Sequence, residues 1–399
     1  MSETKKYGIG VQIAALSVAL LMYTTSMTTP ALAQIAAAFP DASAETVKLL
    51  STIPSLMMVV FSLISGKLTQ VMSIKKVIIL SMVLIFIGGI PSAFFGGLTF
   101  MLIMRVIFGA GYGLVFPMAS AVIADLFTGD KGQRMMGLKS AVGAAAGVLF
   151  QMMGGILAVY NWRYAFLGFL LVLPIAVLVL IKLPDTGVKN VSKDDLPASG
   201  EKVKKVTTMT FVIAAICLLF NIVQFSFMID MAFVLKGTGI GNAAGAATVL
   251  TIFSASAFVM GLIYGNIAKI LKKFTAPTAA LLVGISFFML VFANSMGMIM
   301  LSAVIFGLGF GMFNPAITIA AAKSAAAPKF SAQAIAIYVS GTGIGQFLCP
   351  YALKALRNAF GMTAVKSDWQ IAAVAILIGS IAAFVIIALS KKKAASTAE

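Results

Sequence analysis

Histidine is absent from this sequence, and cysteine and charge are scarce. The 399 residues include no histidine, two cysteines and 10% charged residues. Without an imidazole, neither a histidine metal site nor a histidine proton relay can form. The chain also lacks a Walker loop, the glycine-rich sequence that cradles nucleotide phosphates, which argues against direct use of ATP. Cys217 and Cys349 both lie in apolar runs, so we interpret them as small buried hydrophobic residues.

Apolar residues are abundant. They make up 61% of the chain, and the mean hydropathy is +1.06. A soluble domain is about half apolar and about a quarter charged, so this composition predicts a polytopic membrane protein. A membrane span needs about 20 apolar residues. The twelve stretches that meet this requirement are 11–33, 47–66, 77–96, 99–126, 136–159, 163–183, 207–235, 244–268, 275–294, 297–322, 331–356 and 370–390.

One polar stretch divides these candidate spans into two sets of six. It is KLPDTGVKNVSKDDLPASGEKVKKV, Lys182–Val206, which mixes Pro, Gly, Ser and charges of both signs. Such a composition is typical of a linker. We therefore predict an all-α membrane protein with a six-helix domain over 1–184, a linker over 185–206 and a second six-helix domain over 207–399.

An internal repeat relates the two halves. VIFGAGYGLVFP, Val106–Pro117, returns half a chain later as VIFGLGFGMFNP, Val304–Pro315. Further matches at the same offset are Gly143 with Gly341 and Gly147 with Gly345. A fixed period across matched helices is typical of transporters built from repeats, and it predicts two pseudo-symmetric six-helix domains. Because small residues let membrane helices approach closely, these later glycines provide either sliding surfaces or sites of static packing.

Lysine and arginine set the orientation. With the N-terminus inside, most of the basic residues fall on the cytoplasmic side, including those of the linker. The outer side holds only Lys48, Arg163, Lys236, Lys354, Arg357 and Lys366, with Arg105 inside a span. This bias predicts that both termini are cytoplasmic in the plasma (inner) membrane. It also accounts for the net charge of +17, because basic loops face anionic lipid, and no nucleic-acid partner is needed.

Three short motifs identify a family. GKLTQVMSIKK, Gly66–Lys76, follows span 2 and resembles the loop signature G-x-x-x-D-R/K-x-G-R/K-K/R, with Gln70 at the acidic position. In span 4, Arg105 precedes a G-x-G pair as in R-x-x-Q-G-x-G, with Phe108 replacing the glutamine. NWRYAF, Asn161–Phe166, resembles the W-R-W-x-F that opens span 6. Together with the six-plus-six arrangement, these motifs resemble the major facilitator superfamily.

The resemblance implies a secondary active transporter that works by alternating access, with spans 1, 4, 7 and 10 lining a central cavity. The antiporter signature G-P-x-x-G-G survives only as Gly154 and Gly155, and Gln151 occupies the position of its proline. We expect no enzymatic activity, cofactor or metal site. The expected partners are a small-molecule substrate, protons and the lipid bilayer, with the protein a monomer.

Two ionisable residues lie inside spans. Because a charge inside a membrane is costly, each of them is a candidate functional residue. Arg105 and Asp230 lie about six and about five residues from the outer ends of spans 4 and 7, roughly 8–9 Å deep. Asp230 is the leading candidate for a proton carrier, unless it is a wetted loop residue. Arg105 is either a substrate counter-ion or a structural arginine that binds helix ends and carbonyl groups.

Charged residues at the cytoplasmic ends are candidates for a gate. Asp125 and Lys323 occupy equivalent positions in the repeat and could pair to close the inner side. Alternatively, Asp125 pairs with Lys67 or Lys75 within the first domain, as the loop motif that begins at Gly66 suggests.

Uncharged polar residues mark the rest of the expected cavity. They are Tyr23, Thr24 and Ser26 on span 1, Tyr112 on span 4, Asn221 and Gln224 on span 7, and Asn314 and Thr318 on span 10. Asn221 and Gln224 are three residues apart and share a helix face. We predict that Tyr23, Tyr112, Asn221, Gln224 and Asn314 contact substrate, and the alternative role for such residues is hydrogen bonding between packed helices.

The sequence thus predicts a proton-coupled exporter of small amphipathic compounds, because the cavity is mostly apolar and carries few charges. The second hypothesis is uptake or exchange of a small organic anion with Arg105 as counter-ion. A third, from another class, is a receptor or scaffold that transports nothing, which would usually carry a larger soluble domain.

Overall fold

The computed structural model describes residues 7–187, 206–326 and 331–396. Within these ranges the regular structure is helical, apart from an isolated bridge between Val206 and Ala325. The helical segments are α1 (Ile9–Leu21 and Thr24–Ala38), α2 (Ala44–Leu68), α3 (Ile74–Phe94), α4 (Leu98–Leu126), α5 (Gly129–Tyr160), α6 (Tyr164–Lys182), α7 (Thr208–Gly237), α8 (Ala243–Leu271), α9 (Thr275–Phe292), α10 (Met296–Lys323), α11 (Ser331–Ala359) and α12 (Ser367–Ser396). Segments α1–α6 belong to one compact unit and α7–α12 to a second.

Nine stretches of the described chain are long and apolar enough to cross a membrane, and a tenth qualifies if the bent α1 is one span. One of the nine, Ala243–Phe292, contains both α8 and α9. It is broken at Lys272, where a positive φ of 51° ends α8. The remaining segment, α11, carries Gly, Ser, Thr and Gln along its length, which lowers its hydropathy. The prediction of an all-helical, twelve-segment fold is therefore confirmed.

Helix starts follow local sequence. Ser43, Asn242 and Ser295 each accept a backbone N–H from three residues further on, which satisfies one of the free donors of the first turn of α2, α8 and α10. Segment α1 is bent by 51° between its two parts, and the second part begins with two short 3₁₀ turns. Pro30 lies in the second of these turns and has no N–H for a continuous helix.

The repeated glycines account for the pseudo-symmetry. A Cβ added at Gly109 would lie 2.9 Å from the Cα of Pro54 on α2, and one at Gly111 would lie 2.6 Å from the Ser81 carbonyl on α3. Glycine therefore lets α4 approach both neighbours, since a side chain would collide with backbone on either side.

The second unit has the same arrangement. A Cβ at Gly307 would lie 2.5 Å from the Phe253 carbonyl on α8, and one at Gly309 would lie 2.8 Å from the Ala279 carbonyl on α9. Segment α10 thus contacts α8 and α9 as α4 contacts α2 and α3. The alternating glycines are conserved between the halves because each helix is packed between two others.

The glycines of α5 and α11 contact helices of their own units. A Cβ at Gly143 would lie 2.6 Å from the Tyr23 ring on α1, and one at Gly341 would lie 2.5 Å from the Ala214 carbonyl on α7. These contacts favour the static-packing interpretation, because the small surfaces are already occupied by α1 and α7.

Candidate functional site

Arg105 lies on α4 inside an aromatic cage. Its guanidinium carbon is 4.9 Å, 4.8 Å and 5.1 Å from the ring centroids of Phe108, Phe166 and Phe169. The arginine and all three phenylalanines have no exposed surface. Aromatic ring faces attract cations, so the rings replace some of the stabilisation that water would give. Phe108, the departure from the family's glutamine, supplies one of these rings.

Rings alone leave the guanidinium incompletely satisfied. Nε, Nη1 and Nη2 of Arg105 have no hydrogen-bond partner among the described residues. A buried charge is ordinarily both paired and hydrogen-bonded, because desolvation is expensive. The site therefore holds a buried cation whose N–H groups have no acceptor among the described residues. A structural arginine was expected to bind helix ends and carbonyl groups. None of the described residues forms such a hydrogen bond with Arg105.

The repeat shows that this cage is specific to the first unit. The residue before the shared V-I-F is Arg105 in the first half and Ala303 in the second. Phe306, the equivalent of Phe108, instead stacks on Phe227 with centroids 3.9 Å apart. At these equivalent positions the second unit therefore has Ala303 in place of the arginine and a stacked pair of aromatic rings.

Tyr23 and Tyr112, both predicted cavity residues, lie close together in the first unit. The ring of Tyr112 stacks on Phe108 at 6.2 Å, and its hydroxyl interacts with the Thr25 side chain. Tyr23 packs against Gly143, as described above, and both tyrosines are half-buried. Phe108 thus connects the guanidinium cage on one side to a pair of phenols on the other.

Asp230 lies within α7 and is 3% exposed. It precedes the end of the helix at Gly237 by roughly 10 Å of helix length. The alternative of a wetted loop residue does not agree with this burial. Arg105 belongs to the first unit and Asp230 to the second, and a pair between them stays a prediction.

Asn221 and Gln224 form an amide cluster with a third residue. The Asn221 side-chain oxygen accepts from Nε2 of Gln224 at 2.9 Å and from Nε2 of Gln346 on α11 at 3.4 Å. Asn221 Nδ2 donates to the Cys217 carbonyl at 2.8 Å. Gln346 was not predicted from the sequence, because it lies on span 11, outside the four spans expected to line the cavity. Its position next to Gly345, which packs against Asn221, is the signal that identifies it.

A second polar contact joins α10 to α11. The hydroxyls of Thr318 and Tyr338 are 2.6 Å apart, and Thr318 also donates to the Asn314 carbonyl. The Asn314 side chain is exposed on the same helix. Tyr338 is a further residue that was not predicted from the sequence, because it also lies on span 11, outside the spans expected to line the cavity.

The loop between α2 and α3 ends close to the C-terminus of α6. Lys75 Nζ donates to the carbonyl oxygens of Leu180 at 2.9 Å and Leu183 at 2.7 Å, which caps the C-terminus of α6. The Ser73 side chain and the Gly187 N–H bind Asp185 and, with the nearby Lys76 and Lys75 charges, lower the pKa of that carboxyl. Lys75 therefore binds the free carbonyl groups at the end of α6.

The predicted gate residues lie at helix ends. Gly66 and Lys67 are exposed near the end of α2, Asp125 is half-buried near the end of α4, and Lys323 is exposed as the last residue of α10. A Cβ at Gly66 would meet nothing within 4 Å, so close packing does not explain this glycine. Asp125 and Lys323 belong to different units, and the gate stays a prediction.

The fold and these sites define a class: a multi-pass, all-helical membrane protein whose two halves repeat one packing scheme. The profile of the Major Facilitator Superfamily matches residues 14–273 and 213–399. The chain belongs to the Major Facilitator Superfamily, a family of transporters. That membership places it among transporters of small molecules and outside the enzymes.

Solved structures share the fold. A D-xylose–proton symporter superposes with a TM-score of 0.76 at 16% identity, over 95% of this chain and 97% of that one. The nucleoside transporter NupG gives 0.76 at 13% identity, over 94% and 100%. Identities this low concern the fold alone.

Curated relatives match in short stretches. The Multidrug transporter protein MdtP of Bacillus subtilis (strain 168) is 32% identical over 122 residues, 30% of this chain and 21% of that protein. Multidrug resistance protein 3 of the same organism is 27% identical over 158 residues, 39% of this chain and 29% of that protein. The matched stretches thus span less than a third of either relative.

Proposed function

We propose that this protein exports small amphipathic organic compounds by alternating access, driven by the proton gradient. The observation that carries the proposal is Asp230, a carboxyl group 3% exposed within a membrane helix of a transporter. Ionisable groups in that setting are expensive and mark ion or substrate pathways. The distant similarity to two multidrug transporters supports the same class of substrate.

Protonation of Asp230 supplies the coupling step. A charged carboxylate and a neutral carboxylic acid differ in their cost of burial, so binding one proton changes the relative free energy of two conformations. In our proposal the charged form favours the conformation in which Asp230 approaches Arg105. Protonation removes that attraction and shifts the population toward the other conformation.

The proposed pathway follows the polar residues. In the first unit it passes Tyr23 on α1 and Tyr112 on α4, and in the second it passes the amide cluster of Asn221, Gln224 and Gln346. Exposed Asn314 contributes from α10. The surrounding apolar surface accommodates the hydrophobic part of an amphipathic compound, and the amides and phenols bind its polar part.

We further propose that the protein is a monomer of the plasma (inner) membrane with both termini and the 185–206 linker in the cytoplasm. The support is the excess of lysine and arginine on that side. Most of the linker lies outside the described residues. Domains over 1–184 and 207–399 would then each hold one half of the pathway.

One observation favours a second function, uptake or exchange of an organic anion. The three guanidinium nitrogens of Arg105 have no partner among the described residues, and a carboxylate would satisfy two of them in a bidentate pair. The enclosure of Arg105 by three rings argues for the first function, because a substrate would have to displace them.

The test is solute flux in proteoliposomes, with cationic, neutral and anionic amphipaths and with small organic anions, each with and without a pH gradient. The proposal expects gradient-dependent movement of amphipaths. Gradient-independent exchange confined to small anions would establish the second function, and absence of any flux would favour a receptor or scaffold.

A further inference from the structure

Lys139 is a cation deep in α5 that no motif identified. It follows Gly129, the first residue of the helix, by about 15 Å of helix length. The side chain is half-buried, and its Nζ donates to the Ser120 hydroxyl on α4 at 2.6 Å. The sequence places Lys139 near the membrane surface, because the predicted apolar stretch begins only three residues before it, at residue 136. In the structure the helix begins two turns before residue 136, at Gly129.

The side chain is directed into the unit. Lys139, Gly143 and Gly147 are spaced four residues apart and therefore lie on one face of α5. The two glycines pack against the ring of Tyr23 on α1. With Ser120 as its partner on α4, the ammonium group lies toward α1 and α4. A lysine on the lipid-facing side of α5 would not reach the Ser120 hydroxyl and would not share a face with the two glycines.

No carboxylate of the described residues forms an ion pair with Lys139. The elements that pack against α5 in its unit are α1, α4 and α6. Their charged residues are few: α1 has none, α4 has Arg105 and Asp125, and α6 has Lys182. The segments that pack against α5 therefore contain one carboxylate, Asp125, which lies near the end of α4.

The repeat shows that a charge is not required for this contact. Three residues after the shared proline, Ser120 on α4 bonds Lys139 on α5, and Thr318 on α10 bonds Tyr338 on α11. Tyr338 lies one residue from the position equivalent to Lys139. A neutral phenol thus satisfies the same hydroxyl in the second unit, and the ammonium group in the first unit has a role besides packing.

We propose that Lys139 binds the anionic group of the substrate, and that the exported compounds are amphipathic carboxylates. This inference rests on the proposed function, because it places Lys139 one helical turn inward from Tyr23 along the same pathway. An ammonium group hydrogen-bonds a carboxylate with charge assistance and repels a cation. The Ser120 hydroxyl keeps the ammonium oriented while no substrate is bound.

The experiment uses the purified full chain and three probes that share a ring system: naphthylacetate, naphthylacetamide and naphthylethylammonium. Binding is measured by calorimetry in detergent, and flux is measured separately in proteoliposomes. The variants are Lys139→Gln and Lys139→Arg, with Lys131→Gln, an exposed lysine at the start of α5, as control. Monodispersity after detergent extraction verifies folding.

We expect the wild type to bind the carboxylate best. Lys139→Gln should weaken carboxylate binding about tenfold and change amide binding less than about twofold, since a charged hydrogen bond is lost. Lys139→Arg and Lys131→Gln should retain wild-type selectivity. Equal losses for all three probes, preference for the ammonium probe, or no binding of any probe would overturn the inference. Selective carboxylate binding without gradient-driven flux would overturn the proposed function, and only the assignment of Lys139 as a carboxylate-binding residue would stand.

Discussion

Replacing Arg105 by an apolar residue of similar volume should leave the protein as stable as before or make it more stable. The caged guanidinium gains from three rings at 4.8–5.1 Å, each worth about 0.5–2 kcal/mol. Against this stands the desolvation of a full charge, several kcal/mol, and N–H groups without partners, about 1–3 kcal/mol each. The cost of burying the charge is therefore larger than the gain from the rings.

The expected changes differ between variants. Arg105→Met should change the free energy of unfolding by between zero and about 3 kcal/mol in the stabilising direction. Arg105→Lys should destabilise by about 1–3 kcal/mol, because a compact, strongly hydrated ammonium lacks the planar surface that stacks on the rings. Both should reduce transport. Because Ala303 occupies the equivalent position, the fold itself does not require the charge.

The assay is reversible unfolding of the purified protein in detergent, with denaturant titration, for wild type, Arg105→Met and Arg105→Lys. Phe108→Leu serves as a matched variant that removes one ring and should destabilise. Loss of more than about 3 kcal/mol in Arg105→Met, with Arg105→Lys unchanged, would refute the reasoning, since the charge would then be stabilising through partners other than the rings.

Three further predictions concern the whole account. Arg105→Gln and Asp230→Asn should couple in a double-mutant cycle, with the double change less harmful to flux than either single change; additive losses would reject the pair. A cysteine at Ser192, outside the described residues, should resist impermeant thiol reagents in intact cells, and rapid labelling would refute the topology. Gly307→Ala should lower the unfolding temperature, because the added Cβ meets the Phe253 carbonyl, whereas Gly379→Ala, whose Cβ meets nothing within 4 Å, should not; equal effects would contradict the packing scheme.

Hydropathy and the repeat were enough to predict the fold. Each apolar stretch is helical because backbone groups in lipid must bond within their own segment. Boundaries were less accurate where charge begins inside a helix: α5 was predicted from residue 136 and starts at Gly129, since its first turns carry Asp130 and Lys131. Hydropathy locates the residues that lie in the membrane, whereas the helix continues beyond them.

The candidate site could be predicted only in part. Arg105 and Asp230 stand out because a charge in an apolar span is conspicuous. The cage around Arg105 could not be found, because Phe166 and Phe169 lie far along the chain and meet the guanidinium only through the packing of α4 and α6. Gln346 was missed for a related reason, since its partner Asn221 lies on another helix.

The most direct test of the central claim is proton movement that accompanies substrate flux. Purified protein is reconstituted in liposomes that contain a pH-sensitive dye, and an amphipathic substrate gradient is imposed without a pH gradient. The account predicts substrate-driven proton movement in wild type and in Asp130→Asn, an exposed control. It predicts none in Asp230→Asn, even where downhill substrate flux persists. Undiminished proton movement in Asp230→Asn would contradict the claim that this carboxyl carries the driving proton.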